Sequence, residues 1–179
     1  REVTGNYQNN HNRFEWHNIN FDKNTQGLSL DSFSYRPMQS QEDFVKTHPY
    51  QIDYAIVKTG RVNINGVNLE RFLKDTVLDM RSISVNDARL DDFRDKRLPR
   101  EPGIVRPLPV DHLKMFPAKI SIDSLQLRNA WVKYGEYNEK TEASGWIHVN
   151  RLNGLITSIR NYGATASDSL SIRATAYLE

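Results

Sequence analysis

The chain contains no cysteine, which excludes a disulfide framework and a thiolate metal site and leaves the redox compartment unread. Charge of one sign is missing too, because 24 Lys plus Arg face 22 Asp plus Glu, a formal +2 at pH 7. Such a balance excludes wholesale nucleic-acid binding, although a local patch could still hold a ligand. No run approaches the roughly eighteen apolar residues of a membrane-spanning helix, and no signal-peptide order of charged, apolar and small residues is present. The piece is therefore expected to be soluble by itself. Apolar residues are scarce at 38% of 179, with a mean hydropathy of −0.66, which favours a one-sided sheet over a thick double-sided core. That length allows one domain or part of a larger one. The opening at Arg1 without Met, and the stop at Leu178-Glu179 inside an alternating stretch, read as a mature or excised fragment whose anchor lies outside it.

Signatures of catalysis are also lacking. His11, His17, His48, His112 and His148 are scattered, without the close His-His or His-Glu spacing of a zinc helix. Asp91, Asp92 and Asp95 crowd together but lack the spacing and glycine of a calcium loop, and read as a solvated turn. The nine Gly are isolated and follow no strand-to-helix transition, so no phosphate-cradling loop or dinucleotide fingerprint exists. Enzyme activity, a metal and a cofactor are not expected.

What is present is an eight-residue pattern: apolar, any, apolar, two polar or small residues, apolar, any, apolar. It occurs at Phe14, Trp16, Ile19, Phe21; at Leu28, Leu30, Phe33, Tyr35; at Val62, Ile64, Val67, Leu69; at Leu78, Met80, Ile83, Val85; and at Ile120, Ile122, Leu125, Leu127. Ile147, Val149 and Leu152 begin a sixth copy, which Gly154 truncates. Chance would supply roughly half a copy. Period-2 alternation places a strand's apolar side chains on one face, and one extra residue would throw the second half onto the other. A bulge at Asn18, Ser32, Gly66, Ser82 or Ser124 restores the facing; a corner serving two walls is the alternative. Residues Ser82 to Leu90 also align with Ser124 to Val132 at an offset of 42, as in a degenerate duplication of a two-strand unit.

Helix signals are few. Ser40-Gln41-Glu42-Asp43 resembles a capping box, Asn68 caps Leu69 to Leu73, and a third short piece is expected over Asp111 to Phe116, after the loop from Leu98 to Pro109 with its four Pro. The predicted fold is mostly β: long, kinked antiparallel strands in a curved or groove-shaped sheet with a few short helices. It forms a single β-rich segment over 1–179, with 1–48 and 49–179 as candidate sub-units.

Two surfaces are candidates for binding. Trp16, Trp131 and Trp146, with Tyr134 and Tyr137, could stack on sugar rings, although Trp16 belongs to an apolar stripe and Trp131 falls out of phase with Ala130 and Val132. Arg94, Lys96, Arg97, Arg100 and Arg106 gather five cations near the Pro-rich loop and are candidate contacts for phosphate headgroups.

The stretch Phe116-Pro117-Ala118-Lys119-Ile120-Ser121-Ile122-Asp123-Ser124-Leu125-Gln126-Leu127, followed by Arg128-Asn129-Ala130-Trp131-Val132-Lys133-Tyr134-Gly135-Glu136, resembles a stretch of AsmA-like envelope proteins. Gly145 to Asn153, then Ile156 to Asn161, continue the likeness, and Tyr50 to Tyr54 with Arg61 to Leu69 are similar to the part before it. The resemblance covers roughly residues 50 to 175 and rests on strand patterns. It implies a segment of a large, usually membrane-anchored protein of the Gram-negative envelope. Such proteins are long β grooves related to bridge-like lipid carriers, associated with outer-membrane biogenesis and phospholipid transport. No catalytic residue comes with the family. The polar composition and the Pro-rich loop depart from a clean groove.

On physical grounds one face carrying Val62, Ile64, Leu78, Met80, Ile120, Ile122, Ile147 and Val149 needs a cover, since each exposed large aliphatic forfeits roughly 1.5–3 kcal/mol of burial. Acyl chains of a phospholipid or another lipid, or flanking repeats of the same protein, would supply it. The expectation is a non-enzymatic periplasmic segment that guides or scaffolds lipid. An extracellular carbohydrate-binding or adhesion module and a purely structural spacer are the alternatives.

Overall fold

Period-2 alternation outweighs helical periodicity along most of this chain, and strands follow from it. The computed structural model describes residues 3–103, 113–115, 117–163 and 170–179. Its strands are β1 (Val3–Gln8), β2 (Asn12–Asp22), β3 (Gly27–Leu30), β4 (Ser32–Pro37), β5 (Asp53–Thr59), β6 (Val62–Asn65), β7 (Val77–Asn86), β8 (Arg89–Asp95), β9 (Lys119–Asn138), β10 (Ala143–Arg160) and β11 (Ser171–Leu178). Two helices interrupt them, α1 (Gln41–Thr47) and α2 (Leu69–Asp75). Ser40 accepts from the Asp43 N–H and Asn68 from the Arg71 N–H, each satisfying a first-turn donor that the helix itself leaves unpaired. Residues 113–115 are also helical, and the rest of the expected third helix lies outside the described residues.

All the strands belong to one sheet, continuous across the boundary between residues 48 and 49 because β4 pairs with β5. β3 and β4 both pair with β2, β6 pairs with β3, and β5 with β4. β7 pairs with β6, β8 with β5, and β9 runs alongside both β7 and β8. Each of β3–β4, β5–β6 and β7–β8 is therefore a single ribbon broken in the middle. The pairing is not antiparallel throughout: β9 lies parallel to β7 and β8. Parallel neighbours need a crossover connection, which falls between Asp95 and Lys119; the expected Pro-rich loop belongs to this stretch, and its residues from 104 on lie outside the described residues. Alternation alone carries no direction, so the sequence pattern is the same either way. The parallel register pairs Ile83 with Leu125, Val85 with Leu127 and Leu90 with Val132. Residues that align at an offset of 42 are thus side-by-side partners in the sheet.

The breaks fall in line across the sheet. β2 is kinked at Asn18 (φ 54), β3–β4 breaks at Asp31, β5–β6 at Gly60-Arg61 and β7–β8 at Asp87-Ala88 (φ 51 at Asp87). β9 and β10 follow at Asn129 (φ 53) and Arg151 (φ 50). Short polar side chains satisfy the backbone and one another along this crease. Asn18 Nδ2 donates to Asp31 Oδ2 (2.9 Å), Arg61 to Asp31 Oδ1 (2.6 Å), Asn129 Nδ2 to Asp87 Oδ1 (2.6 Å), and the Asn129 N–H to Asn153 Oδ1 (3.0 Å). Asn and Asp are the residues that tolerate the left-handed region best after glycine. Asn18 thus kinks where the pattern places an insertion. Ser82 and Ser124 do not adopt positive φ; their strands turn five residues later, at Asp87 and Asn129. Gly66 (φ 67) ends β6 instead of bulging it, and Leu69 begins α2.

The edge strands show what the crease does to the faces. β1 pairs Val3 with Ile19 and Tyr7 with Phe14, although Ile19 lies an odd number of positions, five, after Phe14. β11 likewise pairs Ile172 with Ile156 and Leu178 with Val149. Val3 and Tyr7 share one parity, as do Ile172 and Leu178, and directly opposed residues share a face. The extra residue at the crease therefore keeps the apolar side chains on one side, as a bulge does.

Candidate functional site: an apolar sheet face

On that side the register assembles rows running across the strands. One row is Tyr7, Phe14, Tyr35, Val57, Leu90, Val132, Val149 and Leu178, each directly opposite the next. Beyond the crease a second runs through Phe21, Leu28, Ile64, Ile83, Leu125, Ile156 and Ile172. A third, through Leu30, Val62, Val85 and Leu127, lies between them and ends on the small residues Gly154 and Ala174.

Among the described residues, nothing forms a second layer over these rows. All substantial contacts between strands join sheet neighbours, and the main strand neighbours of α1 and α2 are β5 and β7 respectively. Among the described residues the buried aliphatic and aromatic ones are Val77, Phe93, Ile122, Ala130 and Ile159. The interior row members are half-buried by their lateral neighbours, while Ile172 and Leu178 at the edge are 63% and 74% exposed. The accessible surface is 12410 Å², against about 8,900 Å² for a compact monomer of this mass.

Of the expected stripe, Val62, Ile64, Val149 and Ile147 lie on this face. Val62 and Ile64 belong to the two rows beyond the crease, and Val149 to the first. Ile147 stands opposite Tyr134, two residues from Val149, and is 48% exposed. Leu78 pairs with Ile120 and Met80 with Ile122, which in turn pairs with Ile159. These four lie past another irregularity, where Ser158 takes φ 61, and Ile122 is buried. Leu28 and Tyr35 belong to the eight-residue pattern, whereas Val57, Leu90, Val132 and Ile156 were not singled out from sequence as members of this face, because only cross-strand register brings them into its rows.

Three of the five candidate cations, Arg94, Lys96 and Arg97, are paired with carboxylates. At the outer end of the first row's side, Arg94 holds Asp53 through two bonds of 2.5 and 2.6 Å, and Lys96 Nζ lies 2.6 Å from Glu136. The ammonium of Lys96 holds the Glu136 carboxyl below its ordinary range. Arg97 donates to Asp95 and lies over the Tyr137 ring at 4.2 Å. Its hydrogen bonds hold the Asp95 carboxyl below the usual range. Arg100 is exposed, and Arg106 lies outside the described residues.

Asp91, Asp92 and Asp95 sit on β8 rather than in a turn. Asp92 stands opposite Ala55 and Tyr134 on the apolar side, and its Oδ1 is buried without a hydrogen-bond partner. Burial, with the negative charge of Asp53 adding to it, pushes this carboxyl up to about 6.

The aromatic candidates divide between the faces. Trp16 and Tyr134 are on the apolar side, whereas Trp131, Trp146 and Tyr137 are on the other. Trp146 lies over Gly135, where an added Cβ would come within 2.2 Å of its ring, and beside Phe93 and the Lys133 ammonium.

Among the described residues, no group of three His, Asp or Glu could hold a metal ion, and no helix is long and apolar enough to cross a membrane. Comparison with protein-family models, with curated proteins and with solved structures finds no match.

Proposed function

We propose that this chain is a non-enzymatic segment of an AsmA-like envelope protein that guides or scaffolds lipid along its apolar face. One observation carries the reading: aliphatic and aromatic rows cross the sheet from edge to edge, and among the described residues no second layer of strands or helices lies over them. Soluble monomers rarely expose so continuous an apolar surface, and the acyl chains of a phospholipid match its chemistry. In this reading the segment is periplasmic, anchored by a part of the protein outside it. Flanking repeats adjoin the open edges, of which β11 is exposed along its whole length. The sequence resemblance over residues 50 to 175 points the same way.

Native mass spectrometry and solvent extraction of the chain, exported to the periplasm of a Gram-negative host and purified without detergent, test this. The expected result is co-purified phospholipid, lost in the variant Leu90→Asp with Val132→Asp. A lipid-free monomer whose apolar side chains are covered by its own residues would refute it.

A further inference from the structure

The crease opens a cleft of about 700 Å³ between β8, β9, β10 and the end of β11. It lies on the side opposite the apolar rows. Arg89 and Trp131 are register partners, as are Asn150 and Tyr177, and each is one residue from a member of the first row: Leu90, Val132, Val149 or Leu178. Alternation then points all four away from that row.

Several polar groups of the lining have no partner among the described residues. Arg89 and Arg151, like several other described arginines, form no ion pair there. The Arg151 guanidinium lies 5.8 Å from the centre of the Tyr177 ring. The side chains of Asn150 and Tyr177 and the Trp131 indole N–H make no hydrogen bond to the described protein. His148 meets the Trp131 ring edge-on at 5.9 Å and helps fix its orientation. Asp87, oriented by Asn129, and Glu179 complete the wall.

We infer that this cleft binds a neutral, polyhydroxylated ligand, a short glycan. Two guanidiniums balance two carboxylates, so the lining favours neither an anion nor a cation, and a phosphate would meet Asp87 and Glu179 as like charges. Hydroxyl groups both donate and accept, which is what carboxylates beside guanidiniums and an amide can answer. The indole of Trp131 supplies an apolar platform for the C–H face of a sugar ring, and the volume falls in the ordinary range of ligand sites. This site uses the opposite face from the proposed lipid surface and stands independently of that reading.

A broad array of neutral and anionic glycans, followed by titration calorimetry on the best neutral binder, tests the inference with the whole chain. Binding to a neutral glycan class is expected, weakened at least about tenfold by Trp131→Ala and by Asn150→Ala. The Asn150 side chain has no partner in the described fold, so its loss reports on the ligand even if Trp131→Ala disturbs folding. Silence across the neutral glycans, binding confined to sulfated or phosphorylated ones, or full affinity in Asn150→Ala would each overturn the assignment.

Discussion

Replacing Asp92 by asparagine should stabilise the protein at neutral pH. Its carboxyl is pushed from 3.8 to about 6, mainly by burial, and one oxygen has no partner. An acid raised on folding is a liability in its charged form, so the native state is penalised above pH 6 and relieved as the pH falls toward 3.8. At about 1.36 kcal/mol per pH unit the full shift corresponds to ~3 kcal/mol. Asp92 is only half-buried, and screening by water reduces this to ~1–2 kcal/mol. Urea unfolding at pH 8 should therefore show Asp92→Asn with a midpoint higher by roughly 0.5–1 M, for an m-value of about 2 kcal/mol/M. By pH 4 the wild-type carboxyl is itself protonated in the native state, and most of the gain should vanish. A variant less stable than wild type at pH 8, or a gain that does not change with pH, would refute the assignment of this carboxyl to an apolar, uncompensated setting.

Gly135→Ala should cost ~2–3 kcal/mol, because the new methyl would occupy the place of the Trp146 ring and evict it from Phe93 and Lys133. Urea unfolding followed by tryptophan fluorescence reads both effects, and a variant as stable as wild type would show that the ring does not need that space. Asn18→Ala should cost ~1–2 kcal/mol for its left-handed backbone, beyond what the lost hydrogen bonds remove, whereas Asn18→Gly should lose only those bonds. Equal losses in the two variants, measured by the same unfolding curves, would mean that Asn18 is not held at positive φ.

Much of the architecture could be read in the sequence, because period-2 alternation identifies strands and Ser40 and Asn68 announce helix starts. Asn18 marks a kink where the eight-residue pattern demands one. Direction and register are another matter. The likeness between Ser82–Leu90 and Ser124–Val132 reads equally as duplication or as adjacency, and only the crossover shows that these segments lie parallel and side by side. Asp91, Asp92 and Asp95 suggest solvent by composition, yet β8 takes its place from pairing with β5 and β9, which carries Asp92 onto the apolar side. The out-of-phase position of Trp131 is legible in its own strand. Its meeting with Arg89, Asn150 and Tyr177 is not, since those residues come from three other strands. The same holds for Arg94 and Lys96, whose carboxylate partners at Asp53 and Glu136 are distant in the chain.

Photocrosslinking at neighbouring positions tests the apolar face most directly. A photoreactive phenylalanine analogue placed at Val132 and, in a separate protein, at Lys133 differs by one residue along β9 but by the face of the sheet it reports. After irradiation in cells, phospholipid adducts should appear at position 132 and be absent at 133. Adducts at both positions, at neither, or only at 133 would contradict a lipid path along this face.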